Sequence, residues 1–218
     1  MTIVRVMCTG RVDLSFVLRA LRGGADGVFI GGCWPGECHY ITEGNYDALA
    51  NTLLVKKLLQ EVGIDPRRVR LEWIAASEGS RYAEVVDDFV RQLTELGPLG
   101  EGEGLDEAAL QGKLDALSGL VPYIKLVERE RLRVPVKTED AVRAHYDSEE
   151  AQRLFDVLIG DRLVVSQILA LLGDEPRSTA EIAEAMALSP SAVARHMTRS
   201  SQQGLVRFDT DQNRYVLA

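Results

Sequence analysis

Apolar and polar residues alternate along the first half of this chain in two different rhythms. Val4 and Val6 lie in a short apolar run ending at Cys8, which predicts a strand. Leu14, Val17, Leu18 and Leu21 then recur at i, i+3, i+4 and i+7, the spacing of one helical face. Asp13 stands where a helix cap is expected. A second strand is predicted over residues 27–31. A second helix runs from about Tyr46 to Val62, with Leu49, Leu53, Leu54 and Leu58 inward and Gly63 closing it. A third strand spans residues 69–74. A third helix carries Tyr82, Val85, Val86, Phe89, Leu93 and Leu96. Strand and helix in alternation imply parallel strands joined by right-handed crossovers. Three strands make a thin parallel sheet, so a downstream strand or a partner is expected to complete it.

The rhythm changes after residue 97. Residues 97–104 hold four glycines and a proline and read as a linker. A short amphipathic helix with Leu105, Leu110, Leu114 and Leu117 follows, and Pro122 and Pro135 break up residues 119–136. From about Ala151 the pattern is helical. Ser178 and Glu181 have the spacing of a capping box, Ala187 and Leu188 form a turn, and Ser189-Pro190 opens another helix. Two short apolar runs flank a polar turn at residues 210–213. Helix, turn, helix and two-stranded wing is the order of a winged helix. The expected architecture is α/β: a small parallel three-layer βαβ domain over residues 1–98, a linker and helical segment over 99–150, and a winged-helix domain over 151–218.

Composition narrows the function. The chain has 218 residues and a formal net charge of −8. Residues 150–218 hold seven Arg, no Lys and nine acids. An acidic balance argues against broad nucleic-acid binding, which needs surplus cations. No apolar run is long enough to span a bilayer. The N-terminus lacks the basic region and apolar core of a secretion signal, so a cytoplasmic protein is expected. There is no recognisable Ser/His/Asp arrangement, paired-histidine motif or phosphate-binding glycine loop, so no catalytic chemistry is assigned.

The three cysteines, Cys8, Cys33 and Cys38, all fall in the first 38 residues. Cys33 and Cys38 bracket a Pro35-Gly36 turn, and Cys8 and Cys33 follow predicted strands. Ligands collect beyond the carboxyl ends of parallel strands, and thiolates bind soft metals and iron–sulfur clusters. The alternative is that the thiols pack as small hydrophobes. His39 is a candidate fourth ligand, or a residue that packs beside the site. Gly10, Gly31, Gly32 and Gly36 allow close backbone approach to sulfur. Arg11 is either a charge partner for the site or a solvated surface residue. Asn45 and Tyr46 are expected to cap and pack the second helix.

These residues carry a resemblance. Val4 to Asp13, with Cys8 inside it, resembles one hallmark segment of the delta subunit of methyl-viologen-reducing hydrogenase. Gly24 to Val28, Gly32-Cys33, Gly36 to Tyr40 and Gly44-Asn45-Tyr46 resemble a second. Glu72 to Gly79 and Leu96-Gly97-Pro98 extend the similarity over about residues 3–98. The resemblance implies a [2Fe–2S] cluster with Cys8, Cys33 and Cys38 as ligands. It implies a non-catalytic subunit that relays electrons between a redox enzyme and a heterodisulfide-reductase-A-like flavoprotein. Hydrogenase, dehydrogenase or reductase subunits are the implied partners. Such subunits usually carry a further strand and helix with another cysteine before this point. The resemblance therefore leaves coordination to be completed by His39, by a segment outside this sequence or by a partner chain, or leaves a scaffold without a cluster. The winged helix is expected to dock onto partner subunits. Its alternative role is the output of a redox- or metal-responsive DNA-binding regulator.

Overall fold

A computed structural model describes residues 1–218, apart from the side chain of Asp174. Its N-terminal sheet has two strands, β1 (Val28–Gly32) and β2 (Val69–Trp73), paired in parallel with Val28 opposite Val69 and Gly32 opposite Trp73. The expected first strand does not form. Residues 1–6 lie outside regular structure, and Ile3 and Val4 are each 71% exposed. Among the described residues no downstream strand fills the place; the remaining two strands pair with each other, with one added bridge from Arg177 to Tyr215. Apolar character alone does not make a strand when no paired edge receives it.

Alternation along β1 divides the two faces. Ile30 points into a core with α1 (Leu14–Arg22) and α2 (Gly44–Glu61), joined by Leu18, Leu54, Leu58 and Val69. Asp13 caps α1 as expected, accepting from the Ser15 amide at 2.9 Å. Phe29 points the other way, to Phe89 of α3 (Gly79–Leu96), with ring centroids 5.7 Å apart. This gives three thin layers. Two strands offer a face only about 10 Å wide, so α3 buries Phe89 alone and leaves Tyr82 and Val90 exposed.

The glycine-rich stretch at 97–104 is not a free linker. It wraps the guanidinium of Arg68, which is wholly buried. Arg68 donates through Nε and Nη2 to the two Glu103 carboxylate oxygens at 2.6 and 3.0 Å. It also donates to the carbonyls of Asp26, Gly97 and Pro98. The glycines serve this wrap. Gly100 has φ +92°, and a Cβ at Gly102 would fall 2.0 Å from the Leu96 carbonyl oxygen. Composition suggested flexibility, but the same glycines permit the close backbone approach that surrounds Arg68.

The next helix is also longer than its prolines suggest. α4 (Glu107–Arg131) runs unbroken through Pro122, while Leu105 lies before its start. Pro122 faces solvent, and Leu114, Leu117, Val121 and Ile124 are buried on the opposite side. That packing offsets the missing amide hydrogen bond of a proline inside a helix. After α5 (Glu139–Asp147), α6 (Glu149–Phe155) passes into α7 (Asp161–Asp174) through one π-helical stretch, Asp156–Gly160. Tyr123 of α4 donates its hydroxyl to the Leu158 carbonyl there at 2.9 Å. Ser166 of α7 donates to the Ala116 carbonyl of α4 at 3.1 Å. α4 thus packs against α1 on one side and α7 on the other.

The C-terminal unit follows the expected order. α8 (Thr179–Met186) starts with the Ser178–Glu181 capping box, and α9 (Pro190–Gln202) starts at Ser189 with Pro190 in its first turn. β3 (Val206–Asp209) and β4 (Arg214–Leu217) pair antiparallel as the wing. Ile168, Ile182, Val193 and Met197 form its separate core. Among the described residues, no helix is long and apolar enough to cross a membrane.

Candidate functional site

Two loops and one helix start bring the thiols together. Cys8 opens a 3-10 turn, Thr9–Arg11, closed by the Arg11 amide donating to the Cys8 carbonyl at 3.0 Å. Cys33 follows β1 directly. Cys38 lies beyond a turn in which the Glu37 amide donates to the Trp34 carbonyl and Gly36 takes φ +91°. Pro35-Gly36 in that turn matches a proline and a left-handed residue at its two central positions. Cys8 Sγ and Cys38 Sγ are 3.9 Å apart. Two sulfurs held tetrahedrally at about 2.3 Å from one metal are separated by about 3.8 Å, so this pair already has the spacing of shared ligands. Cys38 is buried, and Cys8 and Cys33 are partly so.

Burial raises the pKa of both Cys8 and Cys33, and the neighbouring Cys38 thiol adds to each rise. A backbone hydrogen bond from Gly10 works the other way at Cys8. These groups are therefore protonated thiols near neutrality, and a bound metal would displace their protons.

The thiols rest on the first residue of α2. A Cβ at Gly44 would lie 2.6 Å from Cys38 Sγ and 2.8 Å from Cys8 Sγ. Gly10 packs on the same spot, where a Cβ would lie 2.8 Å from the Gly44 carbonyl oxygen. Glu43 provides no side-chain cap for α2. The start of that helix abuts the sulfurs, with Asp47 in its first turn adding to the rise in the Cys8 pKa. Asn45, buried at 2% exposure, donates its side-chain amide to the Cys33 carbonyl and ties the loop to α2. Asn45 therefore does not cap α2 as expected: it lies in the first turn, one residue past the start, and its side chain anchors the thiol loop instead.

A second tie holds the loop from outside. Glu78 accepts from Trp34 Nε1 and from the Ala75 amide, both at 2.7 Å. These two donors, the amide first, keep the Glu78 carboxyl below its usual range. The Arg81 guanidinium lies over the Trp34 ring, 5.3 Å from its centroid. Replacing Glu78 with alanine is expected to free Trp34 and speed labelling of Cys33 and Cys38 by Ellman's reagent several-fold. An unchanged rate in the folded variant would show that this tie does not restrain the loop.

The other expected residues fall into different places. His39 is exposed and meets Tyr40 edge-on, with centroids 5.2 Å apart. Arg11 is exposed beside the thiol loop. Gly32 packs against Trp73 and Thr9, and Gly31 meets only its neighbour Phe29 within 4 Å. Among the described residues, no set of three or more His, Cys, Asp or Glu side chains stands in a metal-holding arrangement. The donor chemistry and the side-chain-free cradle at Gly44 nevertheless suit a thiolate-bound group. Gly44 was the position that reasoning from the residues alone did not single out. Its signal was the Gly44-Asn45-Tyr46 string at the helix start.

On the winged helix, Ser189, Ser191, Arg195 and Arg199 are exposed, and His196 is partly buried. α9 carries no acidic residue. Arg199 reaches Asp161 at 3.3 Å.

Comparison with known proteins divides the chain in the same way. Residues 1–97 match the family model of the methyl-viologen-reducing hydrogenase delta subunit. Residues 164–207 match the model of bacterial regulatory proteins of the arsR family. The iron-sulfur D-subunit of the F420-non-reducing hydrogenase of Archaeoglobus profundus is 55% identical over 96 residues, 44% of this chain and 69% of that protein. The corresponding vhu protein of Methanopyrus kandleri is 41% identical over 97 residues, 44% of this chain and 73% of its own length. The A-subunit of the ferredoxin/F420H2-dependent CoB-CoM heterodisulfide reductase of Methanosarcina acetivorans is 46% identical over 110 residues. Those residues are 50% of this chain but only 14% of that much longer relative.

Proposed function

The chain belongs to the family of methyl-viologen-reducing hydrogenase delta subunits, and from that premise we propose that it is an electron-relay subunit of a multisubunit redox complex. The relay runs from a hydrogenase, dehydrogenase or reductase subunit to a heterodisulfide-reductase-A-like flavoprotein. The observation that carries the reading is the Cys8–Cys38 pair at 3.9 Å on the Gly44 cradle. Cys8, Cys33 and Cys38 would hold a [2Fe–2S] cluster, with His39 or a group from outside this sequence as the fourth ligand. When bound, such a cluster supplies one-electron transfer.

The chain's own residues define the setting. Asn45 and Glu78 hold the Cys33–Cys38 loop in place. Gly10 and Gly44 admit the two thiols to one position by having no side chains there. The partnership with a heterodisulfide-reductase-A-like subunit draws on the heterodisulfide reductase relative, a small part of which resembles this chain.

The test is iron and acid-labile sulfide in the anaerobically purified complex, with electron paramagnetic resonance after reduction. Cys38→Ser is expected to lower iron by at least an order of magnitude and remove the signal. An iron-free intact complex would overturn the relay reading.

A second reading draws on α9. Its exposed Arg195 and Arg199, on a helix with no acids, suit contact with phosphates. The chain would then be a redox- or metal-responsive DNA-binding regulator. Specific operator binding by the purified protein at physiological salt favours this second reading. Co-purification with a flavoprotein and no operator binding favours the first.

A further inference from the structure

A cleft of about 890 Å³ lies beside the thiol loops, and most of its far wall comes from α4 and residues 133–142. Those residues lie after 97 and before 164, between the two matched family regions. The cleft is thus a feature of how this chain's middle segment packs on its N-terminal domain.

Its charges are arranged unequally. Asp13 is tied to Lys125 at 2.6 Å, and Asp47 to Lys137 at 3.0 Å. These two pairs cross between the N-terminal domain and the middle segment and brace the cleft. Arg11 and Arg133 also line it, both exposed, and among the described residues neither has a salt-bridge partner. Arg129, on the same wall, bonds only to its neighbour Glu130. Two further acids line the cleft: Glu43 on the N-terminal side, and Glu128 on the α4 wall, where burial first and then the nearby Asp47 raise its pKa. Guanidinium groups without partners bind phosphate through paired N–H donors.

Apart from Asn51 and Glu43, the rest of the cleft's lining is apolar or glycine. Leu14, Ala50, Val134 and Val142 line it, and Phe16 and Leu126, each about half exposed, also face it. A volume of this size is in the range of small-molecule sites. We propose that this cleft binds a small phosphate-bearing ligand with a flat or apolar body, of the mononucleotide class, through Arg11 and Arg133.

The probes are AMP and inorganic phosphate, titrated into the full chain at fixed ionic strength while thermal unfolding is followed. A ligand that binds only the folded chain raises its melting temperature with the logarithm of its concentration once that exceeds Kd. AMP is expected to raise it at lower concentration than phosphate does. Arg11→Ala/Arg133→Ala, at two exposed positions, is expected to need at least tenfold more AMP for the same shift. Arg207→Ala on the wing is expected to behave as the parent. No shift with either probe, an equal AMP response in the double variant, or AMP no better than phosphate would overturn the assignment. The readout does not depend on iron, so it is distinguishable from failure of the relay reading.

Discussion

Arg68→Ala is expected to destabilise the N-terminal domain by about 3–5 kcal/mol, the cost of leaving one partner of a buried ion pair alone. Arg68 has no solvent exposure and the Glu103 side chain has 7%. Removing the guanidinium strands the Glu103 carboxylate and leaves three carbonyls, those of Asp26, Gly97 and Pro98, without that donor. For a chain of this size the loss corresponds to a fall in melting temperature of roughly 6–20 °C. Thermal unfolding by circular dichroism measures it. The double replacement Arg68→Met/Glu103→Leu is expected to recover part of the loss, because no buried charge then remains. A single-variant loss below about 1 kcal/mol, the level of a surface pair, would mean that Arg68 does not organise the 97–104 wrap.

The same pair predicts a pH dependence. Burial opposes ionisation of Glu103, but hydrogen bonds from Arg68 and from the amides of Gly100 and Asp65 outweigh it and lower its pKa. A carboxyl depressed in the folded state stabilises the fold above its unfolded value, about 4.3. That contribution is lost as pH falls through the folded value. The parent is therefore expected to lose stability steeply below about pH 4, and Arg68→Ala to show a shallower slope there. Equal slopes would remove Glu103 from the acid transition.

Gly44→Ala is expected to have the largest effect on the thiol site. Its Cβ would stand 2.6 and 2.8 Å from two sulfurs, inside contact distance. The yielding atoms are the ends of short side chains, so Cys8 and Cys38 would rotate apart while the backbone stays. At the first residue of a helix alanine is no poorer a helix former than glycine, so the fold should not weaken. Iron bound by the anaerobic complex is expected to drop at least several-fold at unchanged melting temperature. Retained iron in the variant would show that the cradle is not where the cluster sits. Joint loss of iron and stability would point to general disruption instead.

Particular elements show what was legible in the residues. The stripe Leu14, Val17, Leu18 and Leu21 is wholly buried, because a helical face declares its own period. The capping box at Ser178 and the Ser189-Pro190 start are local signals and formed where they were read. The Val4–Val6 run misled, since a strand needs an edge to pair with and that edge is a tertiary fact. Pro122 misled in the opposite sense, because burial of one α4 face outweighs a single lost hydrogen bond. The glycines at 97–104 looked flexible, since glycine marks both loose linkers and tight wraps.

The sequence by itself determined the α1 stripe and its Asp13 cap, the Ser178 and Ser189 helix starts, the winged-helix order and three cysteines in the first 38 residues. Each depends on residues only a few positions apart. Tertiary structure alone decided that Cys8 and Cys38, 30 residues apart, meet at 3.9 Å over Gly44. It alone paired Arg68 with Glu103, and it alone set α4 against α1 to form the cleft. Contacts across such separations depend on which faces pack together, and packing is settled only when the whole chain is in place.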